Sequence, residues 1–240
     1  MSDAAALLDG VRGLVADSLP EVLARRRAVR WKADGSPVTE ADILLESRIA
    51  DWLAARLPGL TLIGEEGYAG GPAPAEGWVA ILDPIDGTEN FCSGLKLWGT
   101  SLSLWEGRAH RGSLLMLPEL GDHLASGDRF EPFQSRIAGF SSSWSAAIGT
   151  GLAETPEGRI FGCAVFNLYN VVRGTLARFT NPKGARSWDL AAGLMLALEH
   201  GCAVTVDGEE YDGSFLEPDR RYRIDIQHRH DLHPRQRAVG

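Results

Sequence analysis

The chain has 240 residues, 44% of them hydrophobic and 23% charged, the make-up of a globular protein able to bury a sizeable core. Its 24 basic against 32 acidic side chains leave a net charge of -8, which argues against a nucleic-acid polymer as the main partner. Cys92, Cys163 and Cys202 form no C-x-x-C pair, no charged and apolar leader opens the chain, and no run of 18 apolar residues occurs; a cytoplasmic protein without disulfide framework, zinc ribbon or membrane span is expected.

From Asp3 to about Leu19 the residues Leu7, Leu8, Val11, Leu14, Val15 and Leu19 recur at helical spacing and predict an amphipathic helix that Pro20 kinks or restarts. Arg25, Arg26, Arg27 and Arg30 then read as a solvated basic face. Thr39-Glu40-Ala41-Asp42 has capping-box spacing and opens a second helix, carried by Ile43, Leu44, Ala50, Leu53 and Leu57 and closed by Pro58-Gly59. Leu60 to Ile63 predicts a short strand that delivers Glu65 and Glu66. Neighbouring strand residues point to opposite faces, so one of the two is expected to face a site. Tyr68 to Gly77, rich in Gly, Pro and Ala, reads as a loop.

Trp78 to Leu82 is an unbroken apolar run, as expected of a strand buried on both faces, and it ends abruptly in Asp83-Pro84-Ile85-Asp86-Gly87-Thr88. Pro84 pushes Asp83 toward extended geometry, and Gly87 permits close approach of the backbone to a ligand where a short helix begins at Thr88. Two carboxylates beside a helix start can hold hard divalent cations through oxygen and a phosphate through N–H groups. Between Leu57 and Leu95 there is no Lys or Arg, whereas Glu65, Glu66, Glu76, Asp83, Asp86 and Glu89 are acidic; bound cations would reverse that local field.

Beyond this stretch, Trp98 to Trp105 and Gly112 to Met116 predict adjacent strands joined through Glu106-Gly107. Leu117 to Ser135 is weakly patterned. Ser135 to Phe140 and Thr175 to Thr180 read as strands around a buried helix over Ala164 to Val172, an alternation of the α/β or α+β kind. Ser187 is the expected N-cap of a helix from Trp188 to His200, with Asp189 in its first turn and Gly201 just past its end. Cys202 to Val206 and Tyr222 to Ile226 are the expected terminal strands. His228, His230 and His233 read as part of a polar chain end.

The pattern D-P-x-D-G-T-x-N-F runs unbroken from Asp83 to Phe91. With Pro37 to Asp42, Ile63-Gly64-Glu65-Glu66 and Ser187-Trp188-Asp189-Leu190-Ala191-Ala192-Gly193 in the same order, it resembles the inositol monophosphatase superfamily of magnesium-dependent, lithium-sensitive phosphatases. Haloacid-dehalogenase-type phosphatases also place Asp-Gly-Thr after a hydrophobic strand, but they set their paired aspartates closer together than Asp83 and Asp86. The resemblance implies a layered α/β (α+β) sandwich of alternating helices and sheets. It implies one catalytic domain over residues 1–240, in lobes of about 1–134 and 135–240 with the active site between them, and commonly a homodimer.

The resemblance also implies roles. Glu65, Asp83 and the Ile85 carbonyl would hold one magnesium ion, and Asp83, Asp86 and Asp189 another, of two or three in all. Thr88 and Glu65 would orient and deprotonate a water, and the N–H groups of Gly87 and Thr88 would cradle the phosphate. Asp42 matches an aspartate near the metal cluster, yet its capping-box position is also a sufficient reason for it. Lys32 and the Asp34-Gly35-Ser36 turn match the family's mobile loop.

The substrate implied is a small phosphorylated metabolite such as an inositol or sugar phosphate. The activities of a 3'(2'),5'-bisphosphate nucleotidase, a fructose-1,6-bisphosphatase or a histidinol-phosphatase are alternatives on the same fold, and a weakly catalytic phospholigand- or protein-binding relative is an alternative of another class. The chain departs from the family where a glutamate receives sugar hydroxyls, since Pro182 occupies that place. Lys183 and Arg186 put positive charge there, suited to a second anionic group.

Overall fold

The computed structural model describes residues 4–33, 35–141 and 145–228. Asp3, Asp34, His230 and His233 lie outside these. The first part of the chain forms α1 (Ala4–Ala24), β1 (Val29–Trp31), β2 (Pro37–Thr39), α2 (Glu40–Ala54), β3 (Thr61–Gly64), β4 (Trp78–Asp86), α3 (Thr88–Cys92), β5 (Gly99–Glu106), β6 (Ala109–Leu117) and β7 (Asp122–Ala125). The second forms β8 (Ala138–Phe140), α4 (Ala146–Ala153), β9 (Gly158–Ile160), α5 (Ala164–Val172), β10 (Arg178–Ala185), α6 (Ser187–Glu199), β11 (Ala203–Val206), β12 (Glu209–Glu210) and β13 (Tyr222–Gln227).

Period-two alternation along β4 builds the layers. Ala80 and Leu82 face the apolar stripes of α1 and α2, with Val11, Val15, Leu45, Ile49 and Leu53. Val79 and Ile81 face the other way, onto Trp188 and Ala191 of α6. The five-stranded sheet β3-β4-β5-β6-β7 is thus covered by helices on both faces. Helices α5 and α6 are shared with the six-stranded sheet β12-β11-β13-β10-β8-β9 through Leu168, Val171, Phe179, Leu194 and Ile226. The result is a layered α/β sandwich running helix pair, sheet, helix pair, sheet. Among the described residues no helix is long and apolar enough to cross a membrane.

Several elements differ from the sequence expectation. Helix α1 passes Pro20 and continues to Ala24, because the carbonyl deprived of its donor belongs to exposed Ala16, where water can serve, while Val22 is fully buried beyond it. Ser187 is not the cap of α6; Arg186 holds that position in extended geometry, and Asp189 accepts its backbone N–H at 2.7 Å. The pairing of β1 with β2, helix α4 and strand β9 are too short for a periodic signal. His228 is buried, and its N–H donates to Ala177 O at 2.8 Å, so this residue belongs to the sheet end rather than to a tail.

The basic run is not uniformly solvated either. Arg26 is nearly buried, pairs with Glu119 and stacks over the Phe91 ring at 4.7 Å, while Trp98 Nε1 donates to the same Glu119 carboxylate at 2.6 Å. This cluster anchors the weakly patterned segment after Leu117, which adds β7 to the sheet edge. Glu119→Gln keeps an acceptor for Trp98 but leaves the Arg26 guanidinium without its counter-charge. It is expected to cost about 2 kcal/mol of stability, read as a lowered urea midpoint. An unchanged midpoint would return Arg26 to the solvated class.

Candidate active site

Three strand and helix ends converge on the site. The first is the turn after β3, where Glu65 N–H donates to Leu82 O at 3.2 Å. The second is a bulge in β4. Asp83 pairs opposite Ser101 and Asp86 opposite Gly99, so one residue is extra on the β4 side, and Thr100 Oγ1 donates to Pro84 O at 2.8 Å. That bulge admits a proline inside a sheet and reverses the alternation beyond it. Ile85 turns into the α1–α2 core, and Asp86 joins Asp83 on the face of α5 and α6. The third is the first turn of α6, which supplies Asp189.

One carboxylate oxygen from each of Glu65, Asp83 and Asp189 lies within 4.8 Å of the others. Asp83 is buried; its Oδ1 accepts Ile85 N–H at 3.0 Å, and its Oδ2 has no hydrogen-bond partner among the described residues. Burial, then the charges of Glu65, Asp86 and Asp189, raise the Asp83 pKa well above the usual carboxylate range. Burial and the Asp86 charge push Asp189 to about 7. For Glu65, burial outweighs the Lys32 ammonium and gives about 7. An all-oxygen set with an orphaned buried oxygen fits a hard divalent cation, whose charge would remove the repulsion.

Asp86 is held to one side of this triad. Its Oδ2 accepts Val165 N–H at 2.6 Å and the Cys163 thiol at 2.8 Å, and these donors restrain the upward push of burial, leaving its pKa at about 6. Gly87 adopts φ 82°, and a Cβ there would meet Cys163 Cβ at 2.8 Å, so only glycine fits the step from β4 into α3. Helix α3 has only 5 residues, too few for a strong macrodipole; the Gly87 and Thr88 N–H groups themselves are the donors available to an anion.

Asp42 is fully buried and meets both readings of its role. Its Oδ2 accepts from Thr39 N–H at 2.9 Å, closing the capping box, and its Oδ1 lies 3.2 Å from Thr88 Oγ1. The Thr88 hydroxyl is also 3.0 Å from Ile85 O, so its single proton has two alternative acceptors. Glu65 and Glu66 do not obey strand alternation, because both lie in the turn beyond β3. Lys32 Nζ reaches Glu65 Oε1 at 3.0 Å and Glu66 Oε1 at 2.8 Å. Burial opposes the Lys32 charge, but these two carboxylates outweigh it and raise its pKa. Only Glu65 joins the triad.

A cavity of about 380 Å³ lies over Glu65, Asp83, Thr88 and Asp189, bordered by Ser36 and Pro37. A smaller one of about 140 Å³ adjoins it through Asp86 and Asp189 and is lined by Ser141, Asn181, Lys183 and Arg221. Lys183 is therefore placed beside the site. Arg186 is not: its Nη1 donates to Pro218 O at 3.2 Å, and its guanidinium lies 5.7 Å from the Trp188 ring.

Residues the sequence reading missed include Arg221, Ser141, Cys163 and Glu46. Buried Glu46 accepts Glu66 N–H at 3.0 Å and sits one helical turn after Asp42 on the core side of α2. That i, i+4 spacing of acids on an apolar face was a legible signal. Arg221 and Ser141 come from distant segments and carried none.

A helix–sheet–helix–sheet sandwich with a carboxylate cluster at the end of the buried strand β4 defines the class. The chain matches the model of the inositol monophosphatase family over residues 6–131. It is 30% identical over 223 residues to an inositol-1-monophosphatase of Mycobacterium bovis, a match covering 79% of this chain and 75% of the relative. To a glucose-1-phosphate thymidylyltransferase of Streptomyces griseus it is 42% identical over 106 residues, covering 43% of this chain and 40% of that protein. The fold is similar to that of an IMPase/NADP phosphatase crystallised with Mg2+ and phosphate, with TM-score 0.78 and 17% identity over 95% of this chain and 92% of the other. The chain belongs to the inositol monophosphatase family and is a phosphatase of it.

Proposed function

We propose that the chain is a magnesium-dependent phosphomonoesterase acting on a small phosphorylated metabolite with water as the nucleophile. The observation that carries this is the convergence of Glu65, Asp83 and Asp189 beside the Gly87-Thr88 turn. Glu65, Asp83, the Ile85 carbonyl, Asp86 and Asp189 would hold the magnesium, which when bound neutralises phosphoryl oxygens and makes water more acidic. Gly87 and Thr88 N–H groups bind the phosphate.

The chain's own groups handle the proton. With the Ile85 carbonyl assigned to the metal, Thr88 Oγ1 donates to its other acceptor, Asp42, leaving its lone pairs to accept from a water. Glu65, which lines the same cavity, takes the proton that water releases as its oxygen bonds to phosphorus. The phosphorus–oxygen bond to the leaving group breaks, and the alkoxide is protonated from solvent. Lys32 orients Glu65 and Glu66 through its two hydrogen bonds. The two large sheets support one catalytic unit with lobes of about 1–134 and 135–240. Cys92, Cys163 and Cys202 form no disulfide, which suits a reducing, cytoplasmic setting.

The test is phosphate release from a panel of phosphomonoesters. Release is expected with magnesium, to be lost on exhaustive chelation and to be suppressed by excess calcium, which prefers longer and looser coordination. Full activity after chelation would overturn this mechanism.

A further inference from the structure

We propose that the small cavity beside Asp86 and Asp189 receives a leaving group that carries its own anionic group, with Arg221 and Lys183 as the residues that recognise it. This rests on the hydrolytic reading above and names the substrate class of the same site. Besides Asp86, Ala164 and Asp189, the cavity is walled by Ser141 just after β8, Asn181 and Lys183 along β10, and Arg221 just before β13. Among the described residues, the only carboxylates lining it are Asp86 and Asp189. Both belong to the set assigned to cations, and Arg221 and Lys183 bring positive charge to the same wall.

The donors are set in place by the backbone. Arg221 Nη1 donates to Gly184 O at 3.3 Å, which ties the guanidinium to the β10 turn while its other N–H groups remain to serve a planar anion. That turn is itself formed by Asn181, whose Oδ1 accepts from Lys183 N–H at 3.2 Å and Gly184 N–H at 3.1 Å. Ser141 is buried, and its Oγ has no hydrogen-bond partner among the described residues, so a hydroxyl donor and acceptor lies in the wall. Two cations, a hydroxyl and an amide form a polar wall suited to a carboxylate or a second phosphate, and they disfavour a cationic leaving group.

Size limits what this cavity can hold. At about 140 Å³ the cavity lies below the roughly 300–1,000 Å³ of sites for drug-sized ligands and adjoins the larger one, so it seats the anionic end of the leaving group rather than the whole of it.

The experiment compares kcat/KM and equilibrium binding for four esters: inositol 1-phosphate with a neutral leaving group, histidinol phosphate with a cationic one, phosphoglycolate with a carboxylate and fructose 1,6-bisphosphate with a second phosphate. The anionic pair is expected to lead, and the order of its two members tells carboxylate from phosphate. In Arg221→Gln the ratio of kcat/KM between the preferred anionic ester and inositol 1-phosphate should fall about tenfold, through KM, as for one lost charge-assisted contact. Arg221→Lys should restore part of it. Arg223→Gln, which removes the same charge from a side chain paired with Asp207, should leave the ratio as it was.

Hydrolysis of all four esters without regard to leaving-group charge, or a ratio indifferent to Arg221, would overturn the pocket assignment and leave the phosphatase reading standing. No release from any ester, with Arg221-dependent binding of the anionic pair, would overturn the hydrolytic reading and support the pocket. Binding indifferent to charge would overturn the pocket in either case.

Discussion

Asp83→Asn is expected to lower turnover by about 10³-fold or more while making the metal-free protein more stable, and these opposite signs identify the residue's role. The loss follows because a neutral amide cannot replace a carboxylate on a divalent cation, whose stabilisation of transition-state charge is worth several kcal/mol, and each 1.36 kcal/mol is about tenfold in rate. The gain follows because Asp83 is buried against Glu65, Asp86 and Asp189, with one oxygen unpartnered among the described residues. Asparagine retains an oxygen for Ile85 N–H and removes a charge that burial and three like neighbours disfavour.

Steady-state kinetics and thermal unfolding in chelator at pH 8 measure both effects. A purely structural carboxylate would give the reverse: normal turnover with lost stability. The same comparison separates the two explanations of Asp189, since a charge that only caps α6 through Arg186 N–H is worth about 0.3–1 kcal/mol of helix stability and little activity. Recovery of a phosphoaspartate at Asp83 would instead assign the chemistry to a covalent, dehalogenase-like route.

The second large effect is in stability against pH. In chelator, the protein should lose stability as pH rises from about 4, where unfolded carboxylates begin to ionise, through about 7. The sign follows from which state holds its protons more tightly. Glu65 and Asp189 are pushed up to about 7 and Asp86 to about 6, so over this window the folded state binds more protons than the unfolded chain, and unfolding is favoured as those protons leave. A tenfold difference in proton affinity between the folded and unfolded chain corresponds to about 1.4 kcal/mol, and several mutually repelling carboxylates make the total on the order of 3 kcal/mol or more. Magnesium should flatten the profile and raise Tm most at the alkaline end, because cations replace protons as the counter-charge. Differential scanning calorimetry across this range checks it. A metal-free Tm that rises with pH would show that the four carboxylates are not clustered in solution.

The carboxylates and their order were legible in the chain because they sit in short motifs with local physical causes. The five apolar residues before Asp83 suited a doubly covered strand, Thr39 and Asp42 had the spacing of a capping box, and Gly87 marked a close approach of backbone where a short helix begins. The helix over Ala164–Val172 was equally plain, since its apolar residues follow one another along the chain. Local propensity and period decide such features, and both are properties of neighbouring residues.

Tertiary structure alone decided the rest. That Asp83 and Asp86 share a face depends on an extra residue measured against β5, a relation between strands that β4 by itself does not contain. Arg26 ceased to be a surface charge because Glu119 and Trp98 meet it from distant segments. Arg186 was next to the motif yet turned to Pro218, while Arg221, 32 residues beyond Asp189, lines the cavity that sequence proximity had assigned to Arg186. Adjacency along a chain fixes backbone position only; which side chains meet is settled by the crossing of sheets and helices, and the substrate pocket is made of such meetings.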